Sequence, residues 1–261
     1  MLKTLDFMLA YYKIHFKTML EYKKSFAVSI LTMAVNDIFM LFFWYVFFNV
    51  MPKINGWGFN ELVLLSGFVA VAFGFFSIFF FGARSFSELV INGELDFFLL
   101  RPKDAFLHLS VSKQNNSALG EFIFGIFCLF LSGFFTPANL ALFLALAFIS
   151  GILFAFTFAL INIVSFYIPK AETLIANLDN AAIHFSSYSA SIFSGAIAFL
   201  LYFILPAFFI STLPVQSIIS FSLSNIALLI GFTIVYSLAV YFLFNLALKR
   251  YESGNTIALR S

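Results

Sequence analysis

The chain has 261 residues, 62% hydrophobic and 10% charged, with a mean hydropathy of +1.03. A soluble domain carries roughly 25% charged residues, so this chain cannot cover itself with polar surface and must take lipid as its main solvent. The net charge of +2 singles out no partner class, nucleic acid included, and the lone Cys128 excludes an internal disulfide and a cysteine metal site.

Residues 1–25 alternate with a helical period. Leu5, Met8, Leu9, Tyr12, Phe16 and Leu20 fall on one face, and Lys3, Asp6, Lys13, Lys17, Glu21 and Lys24 on the other. This pattern predicts a helix lying flat at the membrane surface. Lys13, His15 and Lys17 interrupt the first apolar stretch, so no cleavable signal is expected. Residues 26–50 form a first span carrying Asn36 and Asp37 near its middle, and residues 61–81 a second. A charged loop, residues 82–117, follows. Residues 118–135 form a third span, Thr136-Pro137 a turn, and residues 140–163 a fourth.

Within the loop, Ser85 and Glu88 have capping-box spacing, and Gly93 can take the left-handed conformation that stops a helix. A helix of about two turns is predicted between them, with Phe86, Leu89 and Val90 on one side and Glu88 and Asn92 on another. Glu94, Asp96, the apolar run 97–100 and Arg101-Pro102 come next. A short capped helix on a charged loop between spans is a handle for something outside the membrane.

Residues 171–214 read in two ways. Hydropathy alone makes 192–213 the fifth span and 171–191 a surface helix. Alternatively 171–191 is a polar span and 192–214 a hairpin dipping into the outer leaflet, broken by Pro206 and Pro214. Asn177, Asn180, His184, Ser187 and Ser191 recur by threes and fours, a stripe that suits a wet cavity or other helices. A last span at about 225–248 gives six spans either way. Lys3, Lys13, Lys17, Lys23, Lys24, Arg84, Arg101, Lys103, Lys113, Lys170, Lys249, Arg250 and Arg260 fall on one side and only Lys53 on the other. The positive-inside rule then puts both termini and the charged loop in the cytoplasm.

Three stretches carry a family resemblance: GELDFFLLRPKD at 93–104, FILPAFFISTLP at 203–214 and LKRYESGN at 248–255. The chain resembles the permease subunits of ABC-2-type ABC exporters, a bacterial branch among them. It departs from that branch in the tail, where Gly254 follows Ser253 directly, and at Ser189, where the branch often has proline.

The resemblance implies an all-α polytopic membrane protein of the bacterial cytoplasmic membrane. Its layout is six transmembrane helices, an N-terminal interfacial amphipathic helix, a cytoplasmic coupling helix and an outer re-entrant hairpin, with 171–191 as the polar fifth span. It implies a second permease subunit, alike or different, and a separate ATPase holding ATP and Mg. That ATPase would touch Ser85, Phe86, Glu88, Leu89, Val90, Gly93, Glu94, Asp96 and Arg101. The sequence adds that it has no G-x-x-x-x-G-K-[ST] motif to hold ATP phosphates, so no catalytic residue is expected here.

A small hydrophobic or amphipathic substrate, drug-like or cationic, would meet Asp37, Phe75, Phe76, Phe79, Asn177, Asn180 and His184 on its path. Each has a plainer reading. Asp37 would bond a neighbouring helix or second subunit, the phenylalanines would pack, His184 would make a helix contact, and Glu121 would sit at the interface. An ion-coupled secondary transporter relaying through Asp37 and His184 is the competing class. Such a transporter typically shows two similar halves, and none is evident in the sequence.

Overall fold

A computed structural model describes residues 2–21, 23–115, 118–168 and 170–251, with backbone only for 2–6, 19–20, 23 and 25–26. Leu5, Leu20, Lys3 and Asp6 of the predicted amphipathic faces, and the tail from 252, therefore lie outside the described side chains. In order, the helices are α1 (Leu2–Glu21), α2 (Lys23–Val50), α3 (Phe59–Phe79), α4 (Phe86–Ile91), α5 (Asp96–Leu99), α6 (Ala105–Val111), α7 (Ala118–Leu131), α8 (Pro137–Asn162), α9 (Glu172–Ser186), α10 (Gly195–Phe203), α11 (Leu213–Ile219) and α12 (Leu223–Leu248). Four described helices are long and apolar enough to cross a membrane, at 27–50, 59–79, 137–166 and 223–248. The α9 helix has 15 residues and rises about 22 Å, less than the ~30 Å of hydrocarbon.

The α3 helix is the axis of the bundle, lying between α7 and α8. Membrane helices gain little from burying apolar side chains against one another, so they associate where small residues let backbones close in. A Cβ on Gly125 of α7 would run into Val71 and the Gly67 carbonyl of α3, and one on Gly67 would meet Cys128. On the other flank a Cβ on Gly151 of α8 would sit 3.0 Å from the Ala72 carbonyl oxygen. Above these contacts the rings interlock edge to face: Phe68 on Phe143 at 5.4 Å and Phe73 on Phe154 at 5.9 Å. The α2 helix touches the bundle along α7 and leaves most of its surface open.

At one end of the bundle, α1 crosses the foot of α3. Tyr12 Oη donates to the Phe79 carbonyl (3.1 Å) and Tyr11 Oη bonds His108 Nε2 (3.1 Å). Met8 and Tyr12 are thus half covered by the bundle, while Leu9 and Phe16 of the predicted apolar face stay exposed. This end carries Arg84, Arg101 and Lys103, and we call it the basic end. At the opposite end the α10 helix and the segment 208–219 form a pair bent by 64°. Ala190 N donates to Thr212 Oγ1 (2.9 Å), Tyr236 Oη to the Ile204 carbonyl (2.9 Å) and Asn55 Nδ2 to the Ser191 carbonyl (3.1 Å), which knits this end together.

Candidate functional site

The loop after α3 does not begin with a capping box. Residues Phe81–Ser85 form a 3-10 turn, and Ser85 at φ −108°, ψ 8° caps nothing, because a capping serine needs extended backbone. The turn is set by contact: a Cβ at Gly82 would strike the Leu109 carbonyl of α6. The free donor at the start of α4 is met from another helix instead, Ser87 N donating to Asn162 Oδ1 of α8 at 3.1 Å. Glu88 reaches Lys113 at 2.6 Å on the surface. The stop is as expected. Gly93 has φ +70°, with Glu94 N bonding the Leu89 carbonyl and Gly93 N the Val90 carbonyl. This is the paired arrangement of a Schellman turn.

The apolar face of α4 is not open to a partner. Phe86, Leu89 and Val90 are buried, and Phe86 packs on Phe106 of α6 at 5.6 Å and Phe244 of α12 at 5.2 Å. The expectation that these three dock elsewhere is corrected, since neighbours in this chain already cover them. The apolar surface that the loop does expose is on and after α5: Phe97, Leu99 and Leu100, the last 86% exposed. Arg101 stacks its guanidinium 3.9 Å from the Phe97 ring centroid, an arrangement that holds the ring and the charge together. Asp96 and Glu94 flank this ledge.

From the same loop, Arg84 reaches α9. Its Nε lies 3.1 Å from Asp179 Oδ2, its Nη2 donates to Asn180 Oδ1 at 3.1 Å, and its guanidinium lies 5.4 Å from the Phe158 ring centroid. Asp179 is 3% exposed, so this bridge is partly shielded from water. Sequence reasoning missed Asp179 and Asn162. The signal was available for Asp179: Ile175, Asp179, Ala182 and Ser186 share the packed face of α9 at i, i+4, i+7 and i+11, and one of the four is an acid.

The predicted stripe lies on the other side. Asn177, Asn180 and His184 are exposed and stand off the packed face of α9, with Asn180 held at its edge by Arg84. The three phenylalanines do not flank it. Phe76 is fully buried against Phe81 and Phe158, Phe75 packs on Phe122 and Phe148, and Phe79 on Tyr12 and Phe148. Their placement on a substrate path is corrected to core packing, as rings on the central helix meet its neighbours before any solute.

Asp37 is also turned inward. It is 6% exposed, receives one long hydrogen bond from Asn36 Nδ2 (3.4 Å), and its Oδ2 has no partner among the described residues. Glu121 of α7, expected at an interface with water, is 3% exposed and within Coulombic range of Asp37. Among the described residues no group of three His, Cys, Asp or Glu is placed to hold a metal ion.

Residues 34–255 match the model of the ABC-2 family transporter protein family. The match covers well over half of the chain, and the chain belongs to that family: it is an all-α, multi-pass membrane permease of an ABC transporter. Neither the curated proteins nor the solved structures compared give a match.

Proposed function

We propose that the chain is one permease subunit of an ATP-driven exporter, working with a separate ATPase that carries ATP and Mg and with a second permease subunit. Residues 1–25 lie at the membrane surface, 82–117 form the cytoplasmic coupling loop, and 192–214 form the outer re-entrant segment. Both termini lie in the cytoplasm of a bacterial cell and the subunit sits in its inner membrane. The distribution of Lys and Arg supports this orientation.

The observation that carries the reading is an exposed ledge on a buried lever. Phe97, Leu99 and Leu100 stand open beside Arg101, while α4 behind them is packed against α6 and α12 and tied by Asn162 and Arg84 to α8 and α9. Burying two or three such side chains in an ATPase groove would supply roughly 4–8 kcal/mol before ordering costs. Glu94 and Asp96 at the rim would set orientation. A push on the ledge then reaches α9, whose outward stripe of Asn177, Asn180 and His184 faces the second subunit and the path between them. Amides left in hydrocarbon are costly, which supports a wet or protein-covered face. The cargo is a small hydrophobic or amphipathic molecule.

The test is purification from the native membrane in mild detergent, with mass spectrometry of what accompanies the chain. An ATPase lost from the Leu100→Asp variant and kept by Leu89→Ile supports the reading. An ATPase retained by Leu100→Asp refutes the ledge. No observation favours relay between Asp37 and His184, which lie on an inward face of α2 and an outward face of α9.

A further inference from the structure

The end opposite the basic one is almost free of charge. Residues 51–61, 132–136 and 187–222 form it, and Lys53 and Glu61 are the only ionic side chains among them. A cavity of about 220 Å³ opens beside Glu61, between the loop that joins α2 to α3 and the end of α11. Asn55, Gly56, Trp57 and Glu61 line one side, and Gln216, Ile219 and Ser220 the other. At about 30 Å³ for each water-sized group, it has room for a molecule of roughly seven non-hydrogen atoms.

The local sequence sets these walls. Asn55 and Gly56 have φ of +46° and +85°, the left-handed pair of a two-residue type I′ turn, and Asn-Gly is the dipeptide that tolerates it. Ile54 and Trp57 close the turn, each N–H donating to the other's carbonyl at 2.9 Å. Trp57 is thereby held with its indole buried at the cavity wall. Asn55 Nδ2 donates to the Ser191 carbonyl (3.1 Å), which leaves its Oδ1 as an acceptor. Glu61, in the first turn of α3, takes the Gly58 N–H on Oε2 (3.0 Å), and this fixes the carboxylate at the start of the helix.

The acceptors at this cavity outnumber their donors. Glu61 Oε1 receives no hydrogen bond from a described residue, and no described cation lies within bridging distance of the carboxylate. The Gln216 amide also has no described partner. The one hydroxyl on the wall is spent, since Ser220 Oγ donates to the Gln216 backbone carbonyl (3.1 Å). One carboxylate and two amide oxygens therefore surround a small space. The three N–H groups of a primary ammonium match three acceptors, and one carboxylate matches one positive charge. Asn55, Gly56 and Ser220 are exposed, so the cavity opens to solvent.

We propose that this cavity binds a small soluble primary amine as its ammonium ion. The N–H groups meet Glu61, Gln216 and Asn55, and the short carbon chain lies against Trp57 and Ile219. The assignment rests on the cavity alone and holds whether or not the chain is an exporter subunit.

The chain has two tryptophans, so Trp44→Phe leaves Trp57 as the sole indole reporter. In detergent at pH 7, n-butylammonium should shift its fluorescence saturably, and n-butanol, which lacks the charge, should not. Choline fits the volume but has no N–H on its nitrogen, and it should bind at least about threefold more weakly. Glu61→Gln keeps an acceptor for Gly58 N and removes the charge, so it should weaken n-butylammonium about tenfold or more. Gln216→Leu should weaken it about threefold. Calorimetry on chains that keep Trp44 should give the same order, and it serves as the readout if Trp44→Phe does not fold. Equal affinity in the parent and Glu61→Gln overturns the role of the carboxylate. Choline binding as tightly as n-butylammonium overturns the primary-amine assignment. Loss of n-butylammonium binding in nanodiscs containing phosphatidylethanolamine, but not in those of phosphatidylcholine, makes this a lipid-headgroup site and overturns the soluble ligand. No saturable binding by either method overturns the site.

Discussion

Asp179 on α9 and Asp37 on α2 are both buried carboxylates in apolar packing, and they differ in a cation. Asp179 has Arg84 at 3.1 Å, reaching across from the loop. Asp37 has Asn36 at 3.4 Å and the carboxylate of Glu121 within Coulombic range, with no described cation beside it. The first arrangement joins two elements that must move together, because separating the pair strands a charge in low dielectric. The second joins nothing by charge, and two carboxylates at an apolar interface are costly to ionise together. Substitutions at the two places should therefore act with opposite sign.

The largest effect is expected from Arg84→Gln. It leaves Asp179 buried without its counter-charge, at a cost of about 3 kcal/mol, and releases the loop from α9. Thermal unfolding should drop accordingly, and Arg84→Gln with Asp179→Asn should recover most of the loss. Additive losses in that double-mutant cycle would show that the two side chains act separately. Next comes Gly125→Val, which forces α7 off α3 at Val71 and Gly67. Overpacking of this kind costs about 1–3 kcal/mol, and it moves Glu121 relative to Asp37, seen as a lower melting temperature in detergent. Asp37→Asn and Glu121→Gln should be neutral or stabilising by up to about 1 kcal/mol, since neither breaks an ion pair. If both destabilise as Arg84→Gln does, a cation outside the described residues holds them.

The four long spans at 27–50, 59–79, 137–166 and 223–248 were legible in the sequence because each is an apolar run of hydrocarbon length, and Gly93 was legible because a left-handed stop calls for glycine. The polar helix was less so. The spacing of Asn177, Asn180 and His184 showed a polar face but not which side the bundle would take, and Asp179, on the side it took, lay between them unnoticed. Phe86, Leu89 and Val90 showed an apolar face on α4, and nothing local tells whether Phe106 and Phe244 of this chain or a partner covers it. Phe97 to Leu100 form an unbroken apolar run without a period, so the three exposed members could not be told from the buried Phe98. Ser85 failed as a cap because Gly82, pressed on Leu109, tightens the turn before it.

The smallest expected effect is that of pH on His108, whose ring is packed among Phe7, Tyr11 and Phe98. Burial first, then Arg101 and Lys103, lowers its pKa from 6.5. A group depressed in the folded state must take up its proton at a cost. The contribution is therefore complete above about pH 6.5 and is lost as pH falls through the lower folded value. Melting temperature should fall between pH 7.5 and 5.5, and His108→Asn should flatten that slope. An unchanged slope would assign the pH dependence to other groups.

Transmission from the loop to α9 through Arg84 and Asp179 is the centre of the account. The most direct measurement is the rate at which a water-soluble maleimide labels a cysteine at His184, in a Cys128→Ala background, with the co-purified ATPase bound. The account predicts that ATP with Mg changes this rate in the parent and no longer does so in Asp179→Asn, although the ATPase remains bound. The same nucleotide dependence in both would contradict it.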